Sequence, residues 1–159
     1  MSRFERNANR LTIALFVLLT IVSIAGAIWL PNPTAIHYNL SGKPDRWGSP
    51  VTLLILPGIT FILLGILWAA RNTHPDFLNF PGPRTPENVT RQVGNTRLLL
   101  ASMRTFLTGL FLFFQLNSVW AKLYNHDQLT PWIMLPLLAG LFTLIGIFVR
   151  RAYRLVPRQ

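Results

Sequence analysis

The chain has 159 residues, enough for a single domain spanning 1–159, and 51% of them are apolar while cysteine is absent, which excludes disulfides, thiolate metal sites and cysteine nucleophiles. Fifteen Lys and Arg against five Asp and Glu give a net charge of +10, a balance that would suggest nucleic acid in a soluble protein. Here the basic residues flank long apolar runs, which is the ordinary signature of orientation in a bilayer, so nucleic acid is not an expected partner.

The first apolar run goes from Leu11 to Leu30, interrupted only by Thr12, Thr20 and Ser23, and follows Arg3, Arg6 and Arg10. Roughly 20 such residues cross a hydrocarbon core about 30 Å thick. A basic start and Ala25-Gly26-Ala27 also resemble a cleavable secretory signal, but Ile28, Trp29 and Leu30 continue the apolar run and Trp29 suits an interfacial anchor, which favours a retained span.

Next comes a loop, residues 30–50, dense in turn formers. Pro31 and Pro33 stop the first helix, Ile36-His37-Tyr38-Asn39 can run extended, Gly42 permits a left-handed turn, and Gly48-Ser49-Pro50 starts another helix. His37 and Asn39 lie two apart and share a face of an extended segment, and Asp45 after the turn can fold back beside them. Two main readings stay open beside that of a weak metal site. In one, Asp45 closes the loop by accepting backbone amides and His37 is an ordinary polar residue. In the other, His37, Asn39 and Asp45 form a hydrogen-bonded group that, with Trp47, contacts a ligand. One histidine and one carboxylate are too few for a zinc site, so no metal is expected. No cofactor is expected either, because no phosphate-binding glycine loop is present, and no nucleophile, base and orienting group occur at a known spacing, so an enzyme is not expected.

The second run is Val51 to Ala70, closed by Trp68 and Arg71, with Pro57 expected to kink it. In the loop that follows, Thr85 suits a helix N-cap with Pro86 at the first helical position, and Glu87 and Arg91 pair four apart. Phe77, Leu78 and Phe80 suit a headgroup region. Asn79, Glu87, Asn88 and Arg91 are the candidates for contact with a partner; a plain solvated helix is the alternative.

The third run, Leu98 to Trp120, contains Arg104, Gln115 and Asn117. Arg97, Arg104, Thr108 and Gln115 follow at steps of seven, four and seven, so they share one helical face, and Arg104 and Gln115 are candidate ligand contacts. Arg104 either snorkels to the nearer headgroups or faces the interior, where its partner would be Glu87 or Asp76, freed helix carbonyls, or an anionic ligand. The fourth run is Pro131 to Val149, with Pro136 placed like Pro57 and Arg150 and Arg151 after it. That similar placement is a weak hint of an internal repeat.

The spacing Leu-Pro, Ile-His-x-Asn, Gly-x-Pro-Asp-x-Trp-Gly-Ser over residues 30–49 resembles the bacterial membrane family of the domain of unknown function DUF1648, over a segment of about 15–70, to which the immunity proteins for a sporulation-delaying toxin (SdpI) are related. A second stretch, from His74 to Pro81 and Thr85 to Gln92, is similar to one found in short members of that family. The resemblance implies an immunity or signalling role in the bacterial inner membrane. The partners it implies are an external peptide toxin or a cytoplasmic repressor. The chain is longer than that resemblance and shorter than the immunity protein.

Counting bases orients the spans. Eleven arginines fall in the two tails and the 71–97 loop, against Lys43, Arg46 and Lys122 on the other side. The excess places both tails inside and His37 and His126 outside. The expected fold is thus an all-α integral membrane protein of four transmembrane helices, with a structured extracytoplasmic loop between the first two. The expected function is non-enzymatic ligand sensing or immunity through that loop. The alternative is a small transporter or lipid-binding protein using the polar face of the third helix. Membrane lipid and a second copy of the chain complete the expected partners.

Overall fold

The computed structural model of the chain describes residues 1–39, 41–124 and 134–157. In chain order it contains α1 (Arg3–Trp29), β1 (Thr34–Tyr38), β2 (Pro44–Gly48), a 3-10 turn (Pro50–Leu54), α2 (Ile55–Ala70), a short 3-10 turn (Pro75–Phe77), α3 (Pro86–Leu123) and α4 (Met134–Arg154). Among the described residues, four helices are long and apolar enough to cross a bilayer. The chain is a multi-pass helical membrane protein with a small antiparallel sheet between its first two spans.

Helix ends follow local chemistry. Ser2 and Glu5 cap α1 reciprocally, Ser2 Oγ accepting from Glu5 N at 3.1 Å and Glu5 Oε2 from Ser2 N at 2.8 Å. The expected Thr85 cap is present, its hydroxyl accepting from Asn88 N at 3.3 Å with Pro86 in the first helical position. Pro57 and Pro136 were expected to kink their spans. They are the third residues of α2 and α4, so each lies in the first turn of its helix. Before Pro57 the chain winds as a 3-10 turn, and Ser49 caps that turn through Val51 N at 3.3 Å. Residues 131–133 of the expected fourth span, and His126, lie outside the described residues.

Polar and small side chains fill many of the contacts between helices, beside buried Leu19, Leu64 and Leu112, while many other bulky apolar side chains point outward. Thr12, Ser23, Arg104 and Thr108 have no exposed surface, whereas Phe61 and Phe142 are each 68% exposed. Such an arrangement suits lipid, where helices gain little from burying leucine against leucine and associate through close approach and hydrogen bonds. α3 is the central helix, lying along α1 and touching α2 and α4. Thr12 and Thr105 hydroxyls meet at 2.9 Å between α1 and α3. Gly26 lets α1 approach the 3-10 turn so closely that a Cβ there would lie 2.8 Å from Leu53 Cδ1 and 3.2 Å from Val119 Cγ2. α4 is held by side chains of α3 that reach its backbone: Gln92 Nε2 donates to Ala152 O at 2.8 Å and Asn95 Nδ2 to Phe148 O at 3.0 Å.

These contacts give the bundle two unlike ends. The hairpin end carries β1, β2 and the last turns of α3. At the tail end, the starts of α1 and α3 meet the ends of α2 and α4, and Arg71 Nε bonds Glu5 Oε1 at 3.2 Å.

Candidate functional site

The hairpin is built as its sequence suggests. Thr34 opposes Gly48, Ala35 Trp47, His37 Arg46 and Tyr38 Pro44, with irregular register on both sides of His37. Gly42 sits at φ +76°, a conformation glycine adopts without a Cβ penalty. Asn39 closes the turn: its Oδ1 accepts from Ser41 N at 2.9 Å and Lys43 N at 3.0 Å, and its own N–H bonds Lys43 O at 2.8 Å. The loop-closing acceptor is therefore Asn39, where Asp45 was one expected reading. Two backbone donors converge on one side-chain oxygen, so Asn39→Ala should lower hairpin stability by about 1 to 2 kcal/mol. Asp45→Ala should cost clearly less, because it leaves those amides paired; thermal midpoints of the two variants in one detergent check the order.

Asp45 is engaged elsewhere. Its Oδ1 lies 2.6 Å from His37 Nδ1 across the hairpin, with side chains 60% and 41% exposed for His37 and Asp45. The expected three-residue group thus resolves into a surface His37–Asp45 pair and an Asn39 turn lock. Trp47 is half exposed and lies under Lys122 Nζ, 5.3 Å from the ring centroid, which joins the hairpin to the end of α3.

Below the hairpin, a cleft of about 300 Å³ opens between β1, the start of α2 and α3, with Ile36, Leu53, Leu56 and Gln115 among its walls. Gln115 belongs to this end of the molecule, and its Nε2 reaches Leu53 O at 3.4 Å.

Arg104 does not. It stands eleven residues earlier in α3, roughly 16 Å along the axis, with none of its surface exposed. Snorkelling, one of the expected outcomes, does not occur. Nη2 donates to Asn9 Oδ1 at 2.8 Å, Nη1 donates to Leu67 O at 3.3 Å, and the guanidinium carbon lies 5.3 Å from the Trp68 ring centroid. The Leu67 carbonyl belongs to the last turn of α2, where carbonyls lack intrahelical donors, so the partner comes from a helix end instead of a proline kink. Neither Glu87 nor Asp76 folds up to it: Glu87 bonds Arg91 as expected, and Asp76 is exposed beside His74 and Arg84. Asn9 was not singled out in the sequence, and Trp68 only as closing the second run, although each lies within one turn of a span end.

At the tail end Asn79, Glu87 and Arg91 are exposed, but Asn88 is wholly buried. Its Nδ2 donates to Pro81 O at 3.0 Å and Pro83 O at 2.8 Å, and its Oδ1 accepts from Gln92 Nε2 at 3.2 Å. Asn88 therefore ties the loop to α3 and presents nothing to a partner. Arg84 caps the same loop, donating to Pro75 O at 3.2 Å and Leu78 O at 2.8 Å with its guanidinium over Phe80. Gly82, at φ +86°, leaves no space for a side chain, since a Cβ there would lie 2.7 Å from Val156 Cγ1.

Residues 14–61 match the model of a domain of unknown function, DUF1648. An uncharacterised protein of Archaeoglobus fulgidus is 32% identical over 79 residues, which cover 45% of this chain and 43% of that protein, so the chain spans less than half of the relative's length. No solved structure matches. The matched stretch runs from the body of α1 to the first turns of α2 and has the hairpin near its middle; Arg104, Gln115 and the 74–92 loop lie beyond it. The hairpin with its His37–Asp45 pair is the polar feature near the centre of the stretch that matches the DUF1648 model.

Proposed function

We propose that the chain is a non-enzymatic protein of the bacterial cytoplasmic membrane that recognises an extracytoplasmic ligand, such as a toxin peptide, through the hairpin crown, in an immunity or signal-sensing role. The observation that carries this reading is the exposed His37–Asp45 pair beside the half-exposed Trp47. A hydrogen-bonded ionisable pair next to an aromatic face, displayed on a small rigid hairpin, is suited to contact with a peptide and is not needed to close the turn, which Asn39 does. In this reading the tails and the 71–97 loop are cytoplasmic, supported by eleven arginines on that side against three bases on the other. The exposed Asn79, Glu87 and Arg91 then face any cytoplasmic repressor.

A small transporter, or a protein that binds lipid through the polar side chains of α3, would need those side chains free. Instead Arg104, Gln115, Asn95 and Gln92 each bond the backbone of another helical element.

The test has two arms. Because the chain lacks cysteine, single cysteines at Ser41 and at the exposed Asp76 report topology. An impermeant maleimide on intact cells should label the first and spare the second; the reverse pattern would overturn the orientation. In the second arm, cells expressing the wild-type chain should survive a panel of added membrane-active peptides better than cells with His37→Ala at equal protein level. Equal survival across the whole panel would overturn the ligand reading.

A further inference from the structure

The cleft under the hairpin has three properties that together select an occupant. Its walls are side chains of Ile36, Leu53, Ile55 and Leu56 with Gln115 and Ser118, so it accepts an apolar chain. Its volume of about 300 Å³ is at the small end of ligand pockets, suited to a chain and not to a bulky ring system.

The cleft also opens toward lipid. Ile55, in its wall, is 59% exposed, and Ile59, Ile62 and Ile66 follow at steps of four, three and four with half or more of their surface exposed. Those steps keep the four isoleucines on one face of α2. They form a continuous apolar track from the cleft mouth along the outside of the span, so a chain enters laterally from the bilayer without crossing water.

Above the cleft, among the described residues, the charge is positive. Lys122 lies four and seven residues beyond Ser118 and Gln115 on the same face of α3, one turn above the cleft. Its ammonium sits over Trp47, whose cross-strand neighbour Ala35 also lines the cleft. Lys43 and Arg46 add two more cations on the hairpin, and its carboxylate, Asp45, is already bonded by His37.

We propose that this cleft holds one acyl chain of an anionic glycerophospholipid from the leaflet on the hairpin side, with Lys122 at the phosphate. An apolar slot open to the hydrocarbon and capped by cations complements an anionic headgroup joined to a chain, and the surrounding bilayer supplies that molecule at high local concentration. The site does not depend on the hairpin crown binding a peptide. A chain that retains the lipid but gives no protection from peptides overturns only the earlier proposal.

The experiment uses the full chain, delipidated in detergent and exposed to equimolar palmitoyl-oleoyl phosphatidylglycerol and phosphatidylcholine, with bound lipid read by native mass spectrometry. The wild-type chain should retain one phosphatidylglycerol in clear preference. Lys122→Ala should lower that preference about fivefold, the effect of one basic residue near an anionic lipid, while Arg150→Ala at the opposite end leaves it unchanged. Ser118→Phe, which fills the cleft, should abolish retention with its thermal midpoint maintained. Should Ser118→Phe not fold, the Lys122→Ala comparison still decides, because that side chain is at the surface of the bundle end. Equal retention of the two lipids by the wild type, equal effects of Lys122→Ala and Arg150→Ala, retention by a folded Ser118→Phe chain, or a bound peptide in place of lipid would each overturn the proposal.

Discussion

Replacing Arg104 by leucine should leave the protein fully inserted yet loosen the packing of α1, α2 and α3 by roughly 2 kcal/mol. The balance has two sides. Leucine removes a cation from the bilayer interior, which eases insertion by about 2.5 to 3.5 kcal/mol on translocation scales. That gain belongs mostly to insertion, because before the helices pack Arg104 stands only about 10 Å of helix rise from Arg97 and reaches the headgroups. Packing is where the arginine acts. A charge-assisted bond to Asn9 contributes about 1.5 to 3 kcal/mol, and a desolvated cation over Trp68 about 2 more, partly offset by burying the guanidinium. Leucine reaches none of these partners and leaves the Asn9 carbonyl oxygen without its donor. Lysine has one nitrogen in place of a planar fork, so Arg104→Lys should hold one partner and lose about half as much. Steric-trap unfolding in bicelles, with reporters on α1 and α3, measures this. Wild-type stability in the leucine variant would show that Arg104 contributes nothing to helix association, whatever its burial.

The second large effect is expected at Asn88. Both protons of its amide are spent on the carbonyls of Pro81 and Pro83, and no proline can donate a backbone bond in return. Asn88→Ala should cost about 2 kcal/mol through two lost hydrogen bonds. Asn88→Asp should cost more, about 3 kcal/mol, because a carboxylate cannot donate and is left buried opposite two carbonyl oxygens. One effect opposes this: the position is in the first turn of α3, where a negative charge gains about 0.3 to 1 kcal/mol from the helix dipole. The loss is the larger. With the loop released, Gly82 no longer seats Val156, so cleavage by trypsin should rise both at Arg84 and at the C-terminal arginines, in parallel with a lower thermal midpoint. If the aspartate variant matches the wild type in midpoint and cleavage pattern, the Asn88 lock has no energetic importance.

The spans, their caps and the hairpin were determined by the sequence alone, since each rests on residues a few positions apart. Apolar runs of about 20 residues admit few alternatives in lipid. Ser49-Pro50 and Thr85-Pro86 start helices by satisfying their own first amides, and Gly42 turns the hairpin where it was expected to. Pairing across the bundle was a different matter. That Arg104 meets Asn9, 95 residues away, and the Leu67 carbonyl depends on how three helices are set against one another, which no periodicity within α3 specifies. The polar face of α3 was legible, but which backbone carbonyls its side chains bond, those of Ala152, Phe148 and Leu53, was decided by the tertiary structure. Asn88 shows the same division. Its place one turn into a helix was legible, but its burial followed from the course of the Pro81–Pro83 backbone. Within the hairpin, tertiary structure chose between two acceptors: the irregular register around His37 brings Asp45 to the imidazole and leaves Asn39 nearest the turn amides, a difference of register that the residue types alone do not encode.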